Sequence, residues 1–322
     1  MAVPANTVVA SSRTNAREDL QDAIYDISPT DTPIVTMAKR TTAHAKYHEW
    51  NEDELASPGV NAHIEGDDST ADASTATTRP GQRMQILKKT PSVSGSTEAI
   101  KKAGYSSEMA YQLEKRSKEA KNDLDYAASR NSGTTAGSTT TAATMAGLES
   151  YITTVAYAGA QGAATTPGYS TGAVGVPVDP TATATLTESM VKTLQKSLYD
   201  NGADPDCLVL PPFSKQRASE GFTGVASLER NISASDRAVV LARIDVWQGD
   251  FGDVKIIPSR HVRDSVGLLL DSEYLQIAYL RPWMTEDLAK TGDSTKKHII
   301  AECGIVPTST KAHGKIVGLA AS

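Results

Sequence analysis

Apolar residues along the chain follow a helical rhythm in two long stretches and a strand-like rhythm in many short ones. Met109, Leu113, Ala120, Leu124 and Ala127 recur at helical spacing. Ser106 or Ser107 stands where a side-chain oxygen can accept from the free N–H groups of a first turn, so the pattern predicts a helix of about 25 residues over 106–130. Glu114 with Lys118 and Lys121 with Asp125 lie four apart on its other faces, as on a solvated side. Asn131-Ser132-Gly133 ends it, and a Ser/Thr/Gly/Ala-rich loop follows to Thr144. A second helix is predicted from the capping box Thr185-Leu186-Thr187-Glu188 to Asn201, with Leu186, Met190, Leu194 and Leu198 on one stripe and Gly202 as its stop. A shorter helix over 15–25 would carry Leu20, Ala23 and Ile24 on one side.

Strand signals dominate elsewhere. Cys207 to Pro211 is a continuous apolar run, as expected of a strand buried on both faces. Segments 239–247 and 254–258 flank Gly249-Asp250-Phe251-Gly252 as a hairpin, and 266–270 and 274–280 add further strands. Segments 297–303 and 315–319 return as strands against the long helix, which makes the chain α+β. The Gly/Ala/Thr/Pro-rich region 159–183 marks a lobe boundary.

The first hundred residues read differently. Ile27-Ser28-Pro29-Thr30-Asp31-Thr32-Pro33-Ile34 is braced by two prolines, each fixing its own φ and pushing the residue before it toward extended geometry, so the segment reads as a stiff arm. Strands are predicted over 45–54 and 82–88, with Tyr47, Trp50, Met84 and Ile86 as their bulky members. Between them, 56–79 is poor in core-forming residues, and 67–78 is almost wholly Asp, Ser, Thr and Ala, which cannot offset the entropy of ordering by burying apolar area. An enzyme core does not normally hold such an excursion; a hairpin lying on a neighbouring subunit can use it. Strands of about ten residues would carry its tip roughly 30 Å from the body.

A length of 322 residues suggests two lobes, and a net charge of −6 argues against a surface built to neutralise phosphates. Cys207 and Cys303, the only cysteines, sit in apolar segments without metal-ligand spacing and read as buried, reduced thiols. The N-terminus has neither a basic region nor an apolar core suited to export, and no apolar run reaches the length of a spanning helix, so folding in a cytoplasm without a membrane role is expected. His44 and His48 would share a metal only on a helix; in a strand they lie about 13 Å apart. The acidic groups near 49–54 and 65–68 lack a calcium-loop register. Ser94-Gly95-Ser96 and Gly172-Ala173-Val174-Gly175 match no nucleophile turn or phosphate loop and read as flexible loops. A hydrolase using His48 with a serine would need a nucleophile, base and orienting group, and no such set is legible. Lys101-Lys102 and Lys296-Lys297-His298 are small basic groups of the kind most surfaces carry. No catalytic, cofactor or metal site is therefore expected.

The arm motif Ser28-Pro29-Thr30-Asp31-Thr32-Pro33, the aromatic-acidic strand Glu49-Trp50-Asn51-Glu52-Asp53, and Gly147-Leu148 with Tyr151-Ile152 after the long helix occur in an order that resembles the major capsid proteins of tailed bacteriophages, with the Hong Kong 97-like fold. The resemblance covers most of the chain. It implies an N-terminal arm over 1–44, an extended loop over 45–98, a peripheral domain over 99–185 and 281–322 with a spine helix near 105–130, and an axial domain over 186–280. It further implies a structural subunit that forms hexamers and pentamers of an icosahedral or prolate head around double-stranded DNA, contacted non-specifically. Portal, scaffolding and decoration proteins are implied partners, with the protein ending in the virion after assembly in the bacterial cytoplasm. Pro29, Asp31, Pro33, Trp50, Asp53, Arg79 and Met84 are the candidate inter-subunit contacts. The alternative is another virion component, such as a decoration or tail protein.

Overall fold

The computed structural model of the chain describes residues 28–66, 68, 77–102, 104–157, 169–170, 173–180, 183–222, 230–231, 239–240 and 245–321. The elements run α1 (Pro33–Met37), β1 (Lys39–Thr42), β2 (Tyr47–Glu49), β3 (Gly81–Arg83), β4 (Gln85–Lys89), β5 (Ser92–Ser94), α2 (Gly95–Ala99), α3 (Glu108–Ser129), α4 (Leu148–Tyr151) and β6 (Thr154–Tyr157). There follow β7 (Tyr169–Ser170), β8 (Ala173–Val174), α5 (Glu188–Asp200), β9 (Cys207–Leu210), α6 (Pro212–Gly221), β10 (Arg230–Asn231), β11 (Val239–Val240), β12 (Val246–Gly249) and β13 (Gly252–Pro258). The chain closes with β14 (Val266–Leu270), β15 (Leu275–Asp287), β16 (Ser294–Pro307) and β17 (Gly314–Val317).

Two sheets organise these elements. One has the order β1-β15-β16-β4, with β5 also paired to β16; the other has the order β12-β13-β9-β14-β17-β6. The second draws strands from 154–157 and 314–317 as well as from the 186–280 lobe. Its central strands are apolar throughout because both faces are covered. In β9, Leu208 and Leu210 point to a cluster with Val191, Leu194 and Leu198 of α5 and Ala218 of α6. Val209 points the other way, to a cluster with Leu124 and Ala128 of α3. The strand alternation thus places one sheet between two helical layers. That second cluster also takes Ile277 of β15 and Ile305 of β16, so the long helix is packed against both sheets.

Several expectations hold in detail. Ser107 caps α3, its side chain accepting from the Ala110 N–H, and Gly249 and Gly252 pair at the tip of the β12–β13 hairpin. Both cysteines are free and buried. Other expectations are corrected. Pro33 does not extend the arm but opens α1, where the missing N–H costs nothing and the fixed φ suits a first turn. The 45–54 and 82–88 strands pair over three residues only, Tyr47–Arg83 to Glu49–Gly81, with an isolated bridge at Glu52–Thr78. Pro80 lies between them and has no N–H to donate, while Trp50 N–H still reaches the Pro80 carbonyl. β4 then leaves the hairpin for β16. The cap of α5 is Thr187, without a side-chain hydrogen bond, so the box at Thr185 does not form. Ser94 caps α2 rather than lying in a loose loop. Helix α6, opened by Pro212, went unpredicted. The 15–25 helix lies outside the described residues, as do most of 67–78, 159–172 and 241–244.

Candidate assembly surfaces

The arm is fastened to α3 by a few polar contacts and one apolar plug. The Pro29 carbonyl accepts from Asn122 Nδ2 at 2.9 Å, and Ile34 of α1 is fully buried in the cluster beneath α3. Asp125 accepts the Val35 N–H at 3.0 Å through Oδ1 and meets His261 Nδ1 at 2.8 Å through Oδ2. Asp125 therefore does not form the solvated pair with Lys121 that its spacing suggested: it is buried, and burial pushes its carboxyl up against the opposing pull of those two bonds. Pro29 and Asp31 remain exposed and Pro33 is half-buried. The arm thus leaves an outward rim after its inner face is used.

The root of the 45–98 loop is fixed from below. Gln82 is completely buried and satisfied: Nε2 donates to the carbonyls of Ala146 at 2.8 Å and Ile305 at 2.9 Å, while Oε1 accepts from the N–H of Ala146 at 2.9 Å and of Arg83 at 3.0 Å. Buried Tyr151 donates to the Gly81 carbonyl at 2.9 Å, and its ring lies 5.9 Å from that of Trp50. Trp50 Nε1 donates to Glu52, which also accepts from Thr310 N–H at 3.2 Å and Oγ1 at 2.8 Å. Arg79 pairs with Glu49 at 2.6 Å on the surface. Of the seven candidate contacts, Asp53 and Arg79 are exposed here and Trp50 is half-buried. Met84 is corrected as an outward contact: at 1% exposure it packs with Ala43, Ala278 and Val306. Beyond this root residues 53–66 are exposed, with Glu54 paired to Lys311. Leu55, Val60 and Ile64 are 99%, 98% and 81% exposed.

A charge cluster, unforeseen from sequence and buried at Glu149 and Lys315, ties α4 to the second sheet behind the Gly147-Leu148 motif. Arg263 grips Glu149 through Nε at 3.1 and 3.2 Å and reaches Asp179 with Nη1 and Nη2. Lys315 of β17, also buried, donates to the Glu149 carbonyl at 2.8 Å. Burial pushes the Glu149 carboxyl up against the pull of Arg263, and it lowers Lys315 to about 8 despite the nearby carboxylates. Burial also works against the Arg263 charge, but its bonds to Asp179 and Glu149 outweigh this and hold it above its usual range. Glu149 follows the motif directly, so a hint was present; nothing in the sequence points from it to Arg263, 114 residues away.

Several chemistry-bearing groups outside these clusters have charged neighbours. Lys102 lies near Glu98 and Glu108, Lys297 pairs with Asp287, and His298 pairs with Glu286. Burial and the nearby His44 lower His48. Burial pushes the thiols of Cys207 and Cys303 up to about 11 and about 12, so neither is a poised nucleophile. Among the described residues there is no group of three His, Cys, Asp or Glu that could hold a metal, and no helix long and apolar enough to cross a membrane.

What these surfaces belong to emerges from comparison with known proteins. The capsid asymmetric unit of cyanophage A-1(L) superposes with a TM-score of 0.71 over 97% of this chain and 99% of that one, at 10% identity. The capsid of the native GTA particle gives 0.62 over 98% and 100%, at 11% identity. The fold is thus the Hong Kong 97-like capsid fold, with mixed helices and sheets. In sequence, the major capsid protein of Escherichia phage Phieco32 is 37% identical over 100 residues, a match spanning 31% of this chain and only 28% of that relative. The family model described as SU10 major capsid protein matches residues 4–320, so the chain belongs to the SU10 major capsid protein family.

Proposed function

We propose that copies of this chain assemble into hexamers and pentamers that close into an icosahedral or prolate head around double-stranded DNA. In this reading the 45–98 loop lies over a neighbouring copy, α3 is the spine of a peripheral domain formed by 99–185 and 281–322, and 186–280 surrounds the capsomer axis. The arm over 1–44 locks copies together through its outward rim, including Pro29 and Asp31. Many modest contacts of this kind become cooperative when each copy is held by several neighbours. Assembly takes place in the bacterial cytoplasm, with portal, scaffolding or decoration proteins as further partners, and DNA meets the inner surface without sequence preference.

The observation that carries this reading is the exposed loop: Leu55, Val60 and Ile64 lie almost wholly in solvent beyond a root fixed by Gln82 and Tyr151. Three large aliphatic side chains held this fully in solvent within ten residues suit a surface that is covered in the working assembly. The test replaces residues 55–77 with a short Gly-Ser linker, which the Glu52–Thr78 bridge at the root permits. Negative-stain microscopy and light scattering should find shells or capsomers for the intact chain and folded, unassembled subunits for the shortened one. Normal shells from the shortened chain would defeat the proposal.

A further inference from the structure

The charge of this chain is segregated. Residues 47–78 hold eight of its 38 acidic residues and none of its 32 lysines and arginines, so removing that segment turns the net charge from −6 to +2. Asp53 and Glu65 form no ion pair within the chain among the described residues, whereas Glu54 pairs with Lys311; of the exposed apolar residues, Ile64 abuts the unpaired Glu65. The loop is therefore an acidic strip studded with aliphatic side chains, and it asks for a basic surface with an aliphatic floor.

One groove has that character. It runs beside β4, the edge strand of its sheet, under the Ser/Thr/Ala-rich segment 137–143, and measures about 450 Å³. Ile86, on the outward side of β4, is half-exposed along it; Lys46 and Arg83 supply positive charge; Ala142 and Ala143 keep its wall low. Lys46 is exposed and has no ion pair within the chain among the described residues. The one acid that lines the groove, Glu302, is held by Arg281 at 2.9 Å. Among the described residues, none of 55–66 lines this groove, and Leu55, Val60 and Ile64 stay in solvent. From Glu52 to Ile64 the backbone reaches up to about 40 Å when extended, which is far enough to meet another copy.

We propose that the tip of the loop docks in the β4 groove of a neighbouring copy, with Ile64 against Ile86 and the adjoining Glu65 carboxylate against Lys46 and Arg83. The inference rests on the reading that the loop lies over a neighbour, and adds where it lands and what draws it there. Opposite charges at the rim speed encounter and fix register, and they are screened by salt. Shell formation should therefore slow about tenfold or more between low and high salt while the subunit itself stays folded.

The test joins Ile64→Cys with Thr139→Cys, at the tip and on the groove wall, and oxidises assembled shells. Cys207 and Cys303 are buried and stay silent. Covalent multimers on a non-reducing gel, absent from either single variant, are the expected result; assembled shells without multimers, whether the loop cysteine replaces Leu55, Val60 or Ile64, would overturn the proposal. A second arm keeps the idea testable should these variants fail to assemble. Glu65→Lys should slow shell formation about tenfold, and Lys46→Glu in the same chain should restore it. Wild-type assembly by Glu65→Lys, or no rescue, counts against the groove. If shortening the loop leaves shells intact, the broader reading fails; if shortening stops assembly while positions 64 and 139 stay unlinked, only the landing site fails.

Discussion

A methyl group at Gly147 would lie 1.7 Å from the Arg130 carbonyl oxygen and 2.7 Å from its carbon, so the turn after α3 closes only around glycine. The Gly147 N–H donates to the Ser132 carbonyl at 3.1 Å, and backing away from Arg130 would pull on that bond. Gly147→Ala should cost about 3 kcal/mol, at the upper end for a buried steric insertion, read as a lower denaturation midpoint with an unchanged slope. His313 presents a different single-residue effect. It is wholly buried, and burial lowers it from 6.5 to about 4, with the Asp206 charge opposing; Nδ1 accepts the Asp271 N–H at 3.3 Å. The folded chain then binds fewer protons than the unfolded chain between those two values, so stability rises with pH across that window and falls as pH drops from 6.5 toward 4. At about 1.4 kcal/mol per pKa unit the loss amounts to roughly 3 kcal/mol. Unfolding measured at pH 7 and near pH 4 should show a pH dependence weakened by that amount in His313→Gln; an unaltered dependence would remove His313 as its source.

Elements whose pattern is carried by their own residues were legible, and those defined by distant partners were not. The period of α3, the continuous run of β9 and the glycine-flanked hairpin tip all follow from local sequence. The face of α3 was read with Asp125 on its wet side because Lys121 is four residues away; the structure turns it inward because α1, some 90 residues earlier, needs an acceptor for Val35 and His261 needs a partner. The same limit hid the Glu149–Arg263 cluster and the burial of Met84, whose neighbours Ala278 and Val306 come from β15 and β16. The motif at 147–148 was legible as a motif, while its cause, a carbonyl in the way of any side chain, was not. The Asp125 latch yields an element-scale prediction. Asp125→Ala leaves the Val35 N–H without its acceptor and should cost about 1 to 3 kcal/mol. Hydrogen exchange should show α1 losing protection before α3 does, whereas Asp125→Asn, which keeps an oxygen for Val35, should protect α1 better. Equal loss of protection along α1 and α3 in Asp125→Ala would mean that the arm and helix unfold as one unit.

Across the whole molecule, the division of labour between core and loop has a thermal consequence. The two large clusters lie between the sheets and helices, and the root of the loop is tied to them through Gln82 and Tyr151, but 55–66 adds no buried apolar side chain to either cluster. Shortening the loop should therefore leave the melting temperature of the free subunit within about 2 °C of wild type, since a shift of 2 to 4 °C in a domain of comparable size corresponds to about 1 kcal/mol. Assembled wild-type shells should behave otherwise under the proposed loop contact: burial of Leu55, Val60 and Ile64, exposed in the subunit, on neighbours would stabilise the native state by mass action, so shells should melt well above the subunit. Calorimetry on the intact subunit, the shortened subunit and intact shells separates these terms. If the shortened subunit melts several degrees lower than the intact one, the loop contributes to its own chain's core and its exposed aliphatic residues need no neighbour. If the two subunits melt together and only shells gain, the stability that the loop confers belongs to the assembly, and the polar, core-poor composition of 56–79 is the price of keeping that stability out of the free subunit.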